Sequence, residues 1–231
     1  MLKKKLLVLL IGQSNMAGRG EVEAEDLQDS PGLEKLDINL QWQAAAEPLH
    51  FDRAFAGTGP GRTFGKMLLA VHPSQQVGLV PCAVGGSPIS VWRPGQQFST
   101  GEHPYDDTIR RARAAQADGE FVAILWHQGE SDAKQQNAGY QAELRALIVR
   151  LRGELALPAV PFICGELGRY LASEYVVGPI NAATQAVVAE LPYLGFVSSE
   201  GLEAKADRLH FCAASARELG KRYFAAYLAL C

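Results

Sequence analysis

The sequence predicts an α/β fold, a three-layer α/β/α sandwich around a five-stranded parallel sheet. Three observations point to it. Five short runs of continuous apolar residues punctuate the chain, they alternate with longer segments of helical periodicity, and none has the in–out alternation of a sheet with one wet face. Strand–helix alternation of this kind builds a parallel sheet through right-handed crossovers, with helices on both faces.

The first strand is Lys5–Ile11, apolar from Leu6 onward. A helix over Thr63–Val71 leads to the second strand, Gln76–Ala83, and a helix over Tyr105–Ala117 leads to the third, Glu120–His127. In the helix over Tyr140–Leu155, Leu144, Leu147, Ile148, Leu151 and Leu155 recur at 3.6-residue spacing, while Arg145, Arg150, Arg152 and Glu154 occupy the rest of its surface. The fourth strand, Val160–Gly165, follows it. A helix over Ile180–Leu191 precedes the fifth strand, Gly195–Ser198, and a helix over Ala213–Leu230 ends the chain. Glu21–Arg62 breaks the pattern: it is acidic early and then rich in proline and glycine, and reads as a long loop with one short strand near Ile38–Leu40. Loops of that length in compact domains carry function or stay disordered. A second loop, Gly85–His103, holds Trp92. No repeat, low-complexity tract or linker divides residues 1–231, so a single domain is expected.

Composition narrows the function. Of 231 residues, 48% are hydrophobic and 20% charged, which suits a globular domain with a sizeable core. The net charge of −3 offers no basic surface for nucleic acid. Nothing approaches the ~20 consecutive apolar residues of a membrane span. Neither nucleic acid nor a membrane is therefore an expected partner. The four cysteines, Cys82, Cys164, Cys212 and Cys231, are widely spaced and form no CxxC pair, so neither a zinc cluster nor a disulfide framework is expected. The start, Met1–Ile11, imitates a signal peptide, but its apolar run, Leu6–Ile11, is shorter than the about 7–15 residues of a secretory core. The expectation is a cytoplasmic protein, with secretion of a trimmed precursor left open.

Phosphate and metal motifs fail. A P-loop beginning at Gly12 would need glycine, then lysine, then serine or threonine in the three places where the chain has Ala17, Gly18 and Arg19. Gly57-Thr58-Gly59 would need a further glycine where Arg62 stands. No HExxH occurs and the histidines are scattered, so no metal is called for.

In parallel α/β sheets, ligands bind beyond the carboxyl ends of the strands. That rule picks out Gly12-Gln13-Ser14-Asn15, Gly85-Gly86-Ser87 and His127-Gln128-Gly129-Glu130, with Asp207-Arg208-Leu209-His210 before the last helix. A serine nucleophile needs a base, a group that orients the base, and donors for the developing oxyanion. Ser14 sits where a strand-to-helix turn exposes its hydroxyl to free backbone amides. His210 follows Asp207 by three residues, a spacing that lets the carboxylate hold one ring nitrogen while the other faces a serine. Glu130 is a second candidate acid, Gln128 offers an amide donor, and Gly86 offers a backbone amide that a substrate can approach. Taken singly, these are a helix cap, a loop histidine, a turn residue and a surface charge. Their joint appearance at strand ends is what carries the reading.

Gly12-Gln13-Ser14-Asn15-Met16-Ala17-Gly18, Trp126-His127-Gln128-Gly129-Glu130-Ser131-Asp132 and Asp207-Arg208-Leu209-His210-Phe211 resemble the blocks of the SGNH hydrolase superfamily. More narrowly they resemble its carbohydrate-esterase branch, with acetylxylan esterases and sialate O-acetylesterase domains. Gly57–Gly61 and Gly85–Trp92 fit the same pattern. The resemblance implies a flavodoxin-like fold and removal of O-acetyl groups from sugars without metal or cofactor. It implies Ser14 as nucleophile and His210 as base, with Ser14, Gly86 and Gln128 forming the oxyanion hole. GQSN stands where the wider superfamily has GDS, and HQGE where it has GxND, which leaves the orienting acid open between Asp207 and Glu130. Gln13, Asn15, Arg62, Trp92 and His127 are candidate substrate contacts, Trp92 by stacking on a sugar face. The expected partner is an acetylated carbohydrate. The rival readings are an inactive carbohydrate-binding relative and a short-chain lipase or thioesterase.

Overall fold

The computed structural model describes residues 4–231, so the Met1–Lys3 part of the signal-like start lies outside the described residues. Seven strands form one sheet in the order β3-β2-β4-β1-β5-β6-β7. They are β1 (Lys5–Gly12), β2 (Leu33–Leu36), β3 (Trp42–Ala44), β4 (Val77–Pro81), β5 (Gly119–His127), β6 (Phe162–Gly165) and β7 (Leu194–Val197). All neighbours pair in parallel except β3, which runs antiparallel to β2 at the edge. Among the described residues the α-helices are α1 (Ser14–Ala17), α2 (Pro60–Val71), α3 (Pro104–Gln116), α4 (Glu130–Gln135), α5 (Tyr140–Leu155), α6 (Val177–Glu190) and α7 (Ala213–Leu228).

β1 is continuously apolar because both of its faces are covered. Leu7, Leu9 and Ile11 join one core with residues of α3, α5 and α6, including Tyr105, Leu144, Leu147 and Ile180. Val8 and Leu10 face the other core, with Phe64 and Leu68 of α2 and Leu219, Tyr223 and Phe224 of α7. There Phe64 meets Phe224 edge-on at 5.7 Å, an arrangement that the aromatic quadrupoles favour. These are the three layers that the alternation predicts.

The strand count differs from the expectation of five. The two further strands, β2 and β3, lie inside the stretch read as a loop. They are four and three residues long, and β2 carries Glu34 and Lys35. Short, polar strands are typical at and next to sheet edges, and they leave no apolar run to detect. Ile38–Leu40 is not a strand but the turn between them, where Asp37 Oδ1 accepts from the amides of Asn39 and Gln41, both at 2.8 Å.

The excursion from Glu21 to Gly57 is closed at its neck. Gly20 and Thr58 exchange two backbone hydrogen bonds, of 3.1 and 2.8 Å. Arg62 on α2 fastens the excursion from within. Its Nε donates to the Ala45 carbonyl at 2.8 Å, and its terminal nitrogens reach the Glu25 and Gln28 carbonyls. Among the described residues no helix is long and apolar enough to cross a membrane, and all four cysteines are unpaired.

Candidate active site

The carboxyl ends of β1, β4 and β5 converge on one cleft of about 280 Å³, lined by Ser14, His210, Gly86 and Glu130 among others. β1 and β5 come together there at Gly12. Its φ is +128°, and a Cβ would stand 2.1 Å from the His127 carbonyl oxygen, so only glycine fits. The chain then turns directly into the one-turn helix α1, with Ser14 as its first residue.

Ser14 Oγ donates to His210 Nε2 at 3.0 Å. On the other side of the ring, Nδ1 donates to Asp207 Oδ2 at 2.8 Å. Asp207 Oδ1 accepts the backbone amides of Leu209 and His210, both at 2.9 Å. Burial alone raises the Asp207 pKa, but hydrogen bonds from the His210 ring and these amides outweigh it, and the carboxylate is held below its usual range. Burial pushes His210 below the ordinary histidine value, against the pull of Asp207 and with help from the positive charges of Arg19 and Lys205. The imidazole is thus neutral at neutral pH and able to take a proton, while its tautomer is fixed by a carboxylate.

Two backbone amides of cleft-lining residues have no acceptor among the described residues, those of Ser14 and Gly86. Gly86 takes a φ of +84°, and its carbonyl accepts from Ser131 Oγ at 2.8 Å. The Gln13 side chain also lines the cleft. Its Oε1 accepts from the amides of Gly129 and Ser131 at 3.3 and 3.4 Å, which leaves its Nε2 without an acceptor among the described residues.

The structure brings Ser14, His210, Asp207, Gly86, Gln13 and Glu130 together and corrects five other expectations. Gln128 does not reach the cleft. Its Nε2 donates to Ser87 O at 3.1 Å and Asp132 Oδ2 at 2.5 Å, so both amide protons are engaged away from Ser14. Trp92 is fully buried, donating to Ser87 Oγ at 3.0 Å and packing edge-on against Trp126, so no sugar can stack on it. His127 is fully buried beneath the site, beside Tyr223 and Phe211, and burial lowers its pKa to about 3. Arg62 spends its donors on the excursion's carbonyls. Asn15 is a brace and not a substrate contact. Its side chain bonds Glu130 Oε1, the Leu209 carbonyl and the Phe211 amide.

Glu130 makes no hydrogen bond to His210. Its Oε1 takes the 2.5 Å bond from Asn15 and lies 3.7 Å from His127 Nε2, and burial raises its pKa to about 7. Arg19, Arg53, Phe55, Lys134 and Tyr175 also line the cleft and carried no sequence signal of their own. Arg19 is neutralised there by a buried ion pair with Asp52 at 2.6 Å.

Known proteins share both the sequence and this architecture. A probable carbohydrate esterase of Arabidopsis thaliana is 31% identical over 245 residues, covering 96% of this chain and 90% of the relative. The X-ray structure of that Arabidopsis protein superposes with a TM-score of 0.88 over 99% of this chain and all of that one, at 29% identity. Two more distant structures share the fold. NanS has a TM-score of 0.75 at 17% identity, covering 99% of this chain and 98% of its own. The acetylxylan esterase Axe2 from Geobacillus stearothermophilus has a TM-score of 0.58 at 14% identity, covering 98% and 95%. The profile of the carbohydrate esterase family described as sialic acid-specific acetylesterase matches residues 4–229. With a cleft that joins a serine, a histidine and a carboxylate at the strand ends, and a family match over almost its whole length, the chain belongs to this carbohydrate esterase family and is a carboxylic ester hydrolase.

Proposed function

We propose that the protein removes O-acetyl groups from carbohydrates through an acetyl-enzyme formed on Ser14. The observation that carries this reading is the unbroken chain of hydrogen bonds from Ser14 Oγ through His210 to Asp207, at 3.0 and 2.8 Å, beside two unengaged amides. In the first step Ser14 Oγ attacks the acetyl carbonyl carbon and its proton passes to His210 Nε2. The carbonyl oxygen becomes an oxyanion facing the amides of Ser14 and Gly86, with the Gln13 carboxamide as the third donor. The bond to the sugar oxygen then breaks, and His210 returns the proton to that oxygen. A water molecule, deprotonated by His210, attacks the acetyl-Ser14 carbonyl. Acetate leaves and the serine is regenerated. Asp207 orients the ring and stabilises the imidazolium in both steps.

The test is the initial rate on 4-nitrophenyl acetate near pH 7.5, for wild type and Ser14→Ala side by side. The same pair is then assayed for acetate release from acetylated xylo-oligosaccharide and O-acetylated sialic acid. Turnover that vanishes in the folded variant supports the reading. Turnover that survives overturns the assignment of Ser14. Rates that rise with acyl length favour a lipase, and no turnover in either protein favours a binding role.

A further inference from the structure

We propose that Phe55 is a stacking platform for the pyranose ring that bears the scissile acetyl group, an inference that rests on the carbohydrate esterase reading of the cleft. Phe55 is 70% exposed, more than any other large hydrophobic side chain among the described residues. It joins neither hydrophobic core, so core packing gives no reason for an aromatic ring at this position. It lines the same cleft as Ser14 and His210. The Arg19 guanidinium lies over one face of the ring, 5.3 Å from its centroid. Arg19 is in turn fixed by Asp52 and by the Gly18 carbonyl at 2.7 Å. The ring is covered by this cation on one face and lines the cleft largely exposed, which leaves its other face for a ligand.

That face suits a sugar. The negative face of an aromatic ring attracts the polarised C–H bonds on the apolar side of a pyranose, and covering it removes apolar area from water. The surrounding groups fit the hydroxyl side. Lys134 lines the same cleft with an ammonium donor, and the Ser131 hydroxyl, whose proton goes to the Gly86 carbonyl, is left as an acceptor. Phe55 stands on the β4 side, where Asp52 accepts the Gly85 amide at 2.8 Å. On the β5 side, Tyr175 lines the cleft with the Lys134 ammonium 5.4 Å from its ring centroid. A sugar ring on Phe55 therefore sits between two walls, its ester directed at Ser14.

Stacking acts on substrate and transition state alike, so its loss raises KM and leaves kcat largely in place. The experiment compares kcat/KM on an acetylated methyl xyloside with kcat/KM on ethyl acetate, whose leaving group carries no ring. The ratio of the two is expected to fall about tenfold in Phe55→Ala, which corresponds to about 1.4 kcal/mol, and to recover in Phe55→Tyr. A ratio unchanged in Phe55→Ala, or a loss that Phe55→Tyr does not restore, overturns the proposal. Titrating the xyloside into Ser14→Ala, with and without Phe55→Ala, reads the platform apart from catalysis. Weaker binding in the double variant supports it and equal binding overturns it, whereas failure of the wild type to cleave either ester counts against the proposed function.

Discussion

Asn15 is bonded to Glu130 at 2.5 Å, and the same carboxamide grips the chain on both sides of His210, through the Leu209 carbonyl at 3.2 Å and the Phe211 amide at 3.0 Å. Asn15 follows Ser14 in sequence, so this one side chain fixes the distance between the serine hydroxyl and the imidazole. Misplacing a reacting group by ~1 Å can cost about a hundredfold in rate. Asn15→Ala is expected to lower kcat by about that factor with little change in KM. Glu130→Gln, which keeps an acceptor for Asn15, is expected to retain most activity, while Glu130→Ala does not. Steady-state kinetics on 4-nitrophenyl acetate would show whether the three variants rank in this order.

The choice of orienting acid follows from the same geometry. Asp207→Asn is expected to reduce kcat by about 10³–10⁴-fold, the scale seen when a catalytic histidine loses its tautomer-fixing carboxylate. Glu130→Gln should lose far less. If the two variants fall equally, or Glu130→Gln falls further, Asp207 is not the orienting group.

Gln13 and Gln128 should separate cleanly. Gln13→Ala removes a donor aimed at the cleft and is expected to cost about 10²–10³-fold in kcat. Gln128→Ala leaves the buried Asp132 carboxylate without one of its donors, so its expected effect is a lower melting temperature. Thermal unfolding and kcat measured on both variants would reverse this assignment if Gln128→Ala proved the slower enzyme at full stability.

The pH profile reports His210. The base works when neutral and its pKa is lowered, so kcat/KM should rise with pH and level off with an apparent pKa below the ordinary histidine value of about 6.5. Lys205→Met removes one of the charges that depress it and should move this acid limb upward. A limb unchanged by that substitution would mean that Lys205 does not act on the ring.

Stability should fall as pH rises through the neutral range. Glu47 is buried, and burial raises its pKa from 4.5 to about 8. Between those values the folded state holds a proton that the unfolded state has released, so stability declines as pH rises through the window. Glu130, raised to about 7, adds to the same slope. Glu47→Gln should flatten the decline in melting temperature across that window, from 4.5 to about 8, relative to wild type, as differential scanning calorimetry would reveal.

What could be read from the chain beforehand depended on burial. β1, β4, β5, β6 and β7 are covered on both faces, and continuous apolar runs mark them. β3 is an edge strand and β2 lies next to it, and Glu34, Lys35 and Gln43 erase any such run. Ser14 and His210 were legible because strand ends and a short Asp–His spacing limit where they can lie, whereas the orienting acid stayed open between Asp207 and Glu130. Gln128, Trp92, His127 and Arg62 lie beside those motifs but turn inward, and the direction of a side chain is decided by packing that no local pattern records. Phe55 and Tyr175 sit on irregular segments, where periodicity has nothing to say about which aromatic stays in water.

The closed neck at Gly20 and Thr58 separates chemistry from recognition. The excursion that it ties off carries Arg53 and Phe55 to the cleft, while Ser14, Asp207 and His210 all lie outside it. Both ends of the excursion are fixed to each other and to the body of the fold, so its length can change without pulling on the nucleophile. Each doubling of a flexible loop adds only about 0.6 kcal/mol of closure entropy. The segment is in effect an interchangeable jaw on a fixed anvil. Regrafting the Arg53–Phe55 tip, with β2, β3 and the Asp52 contacts to Gly85 and Arg19 kept, is a route to new sugar preferences that leaves the hydrolytic machinery in register.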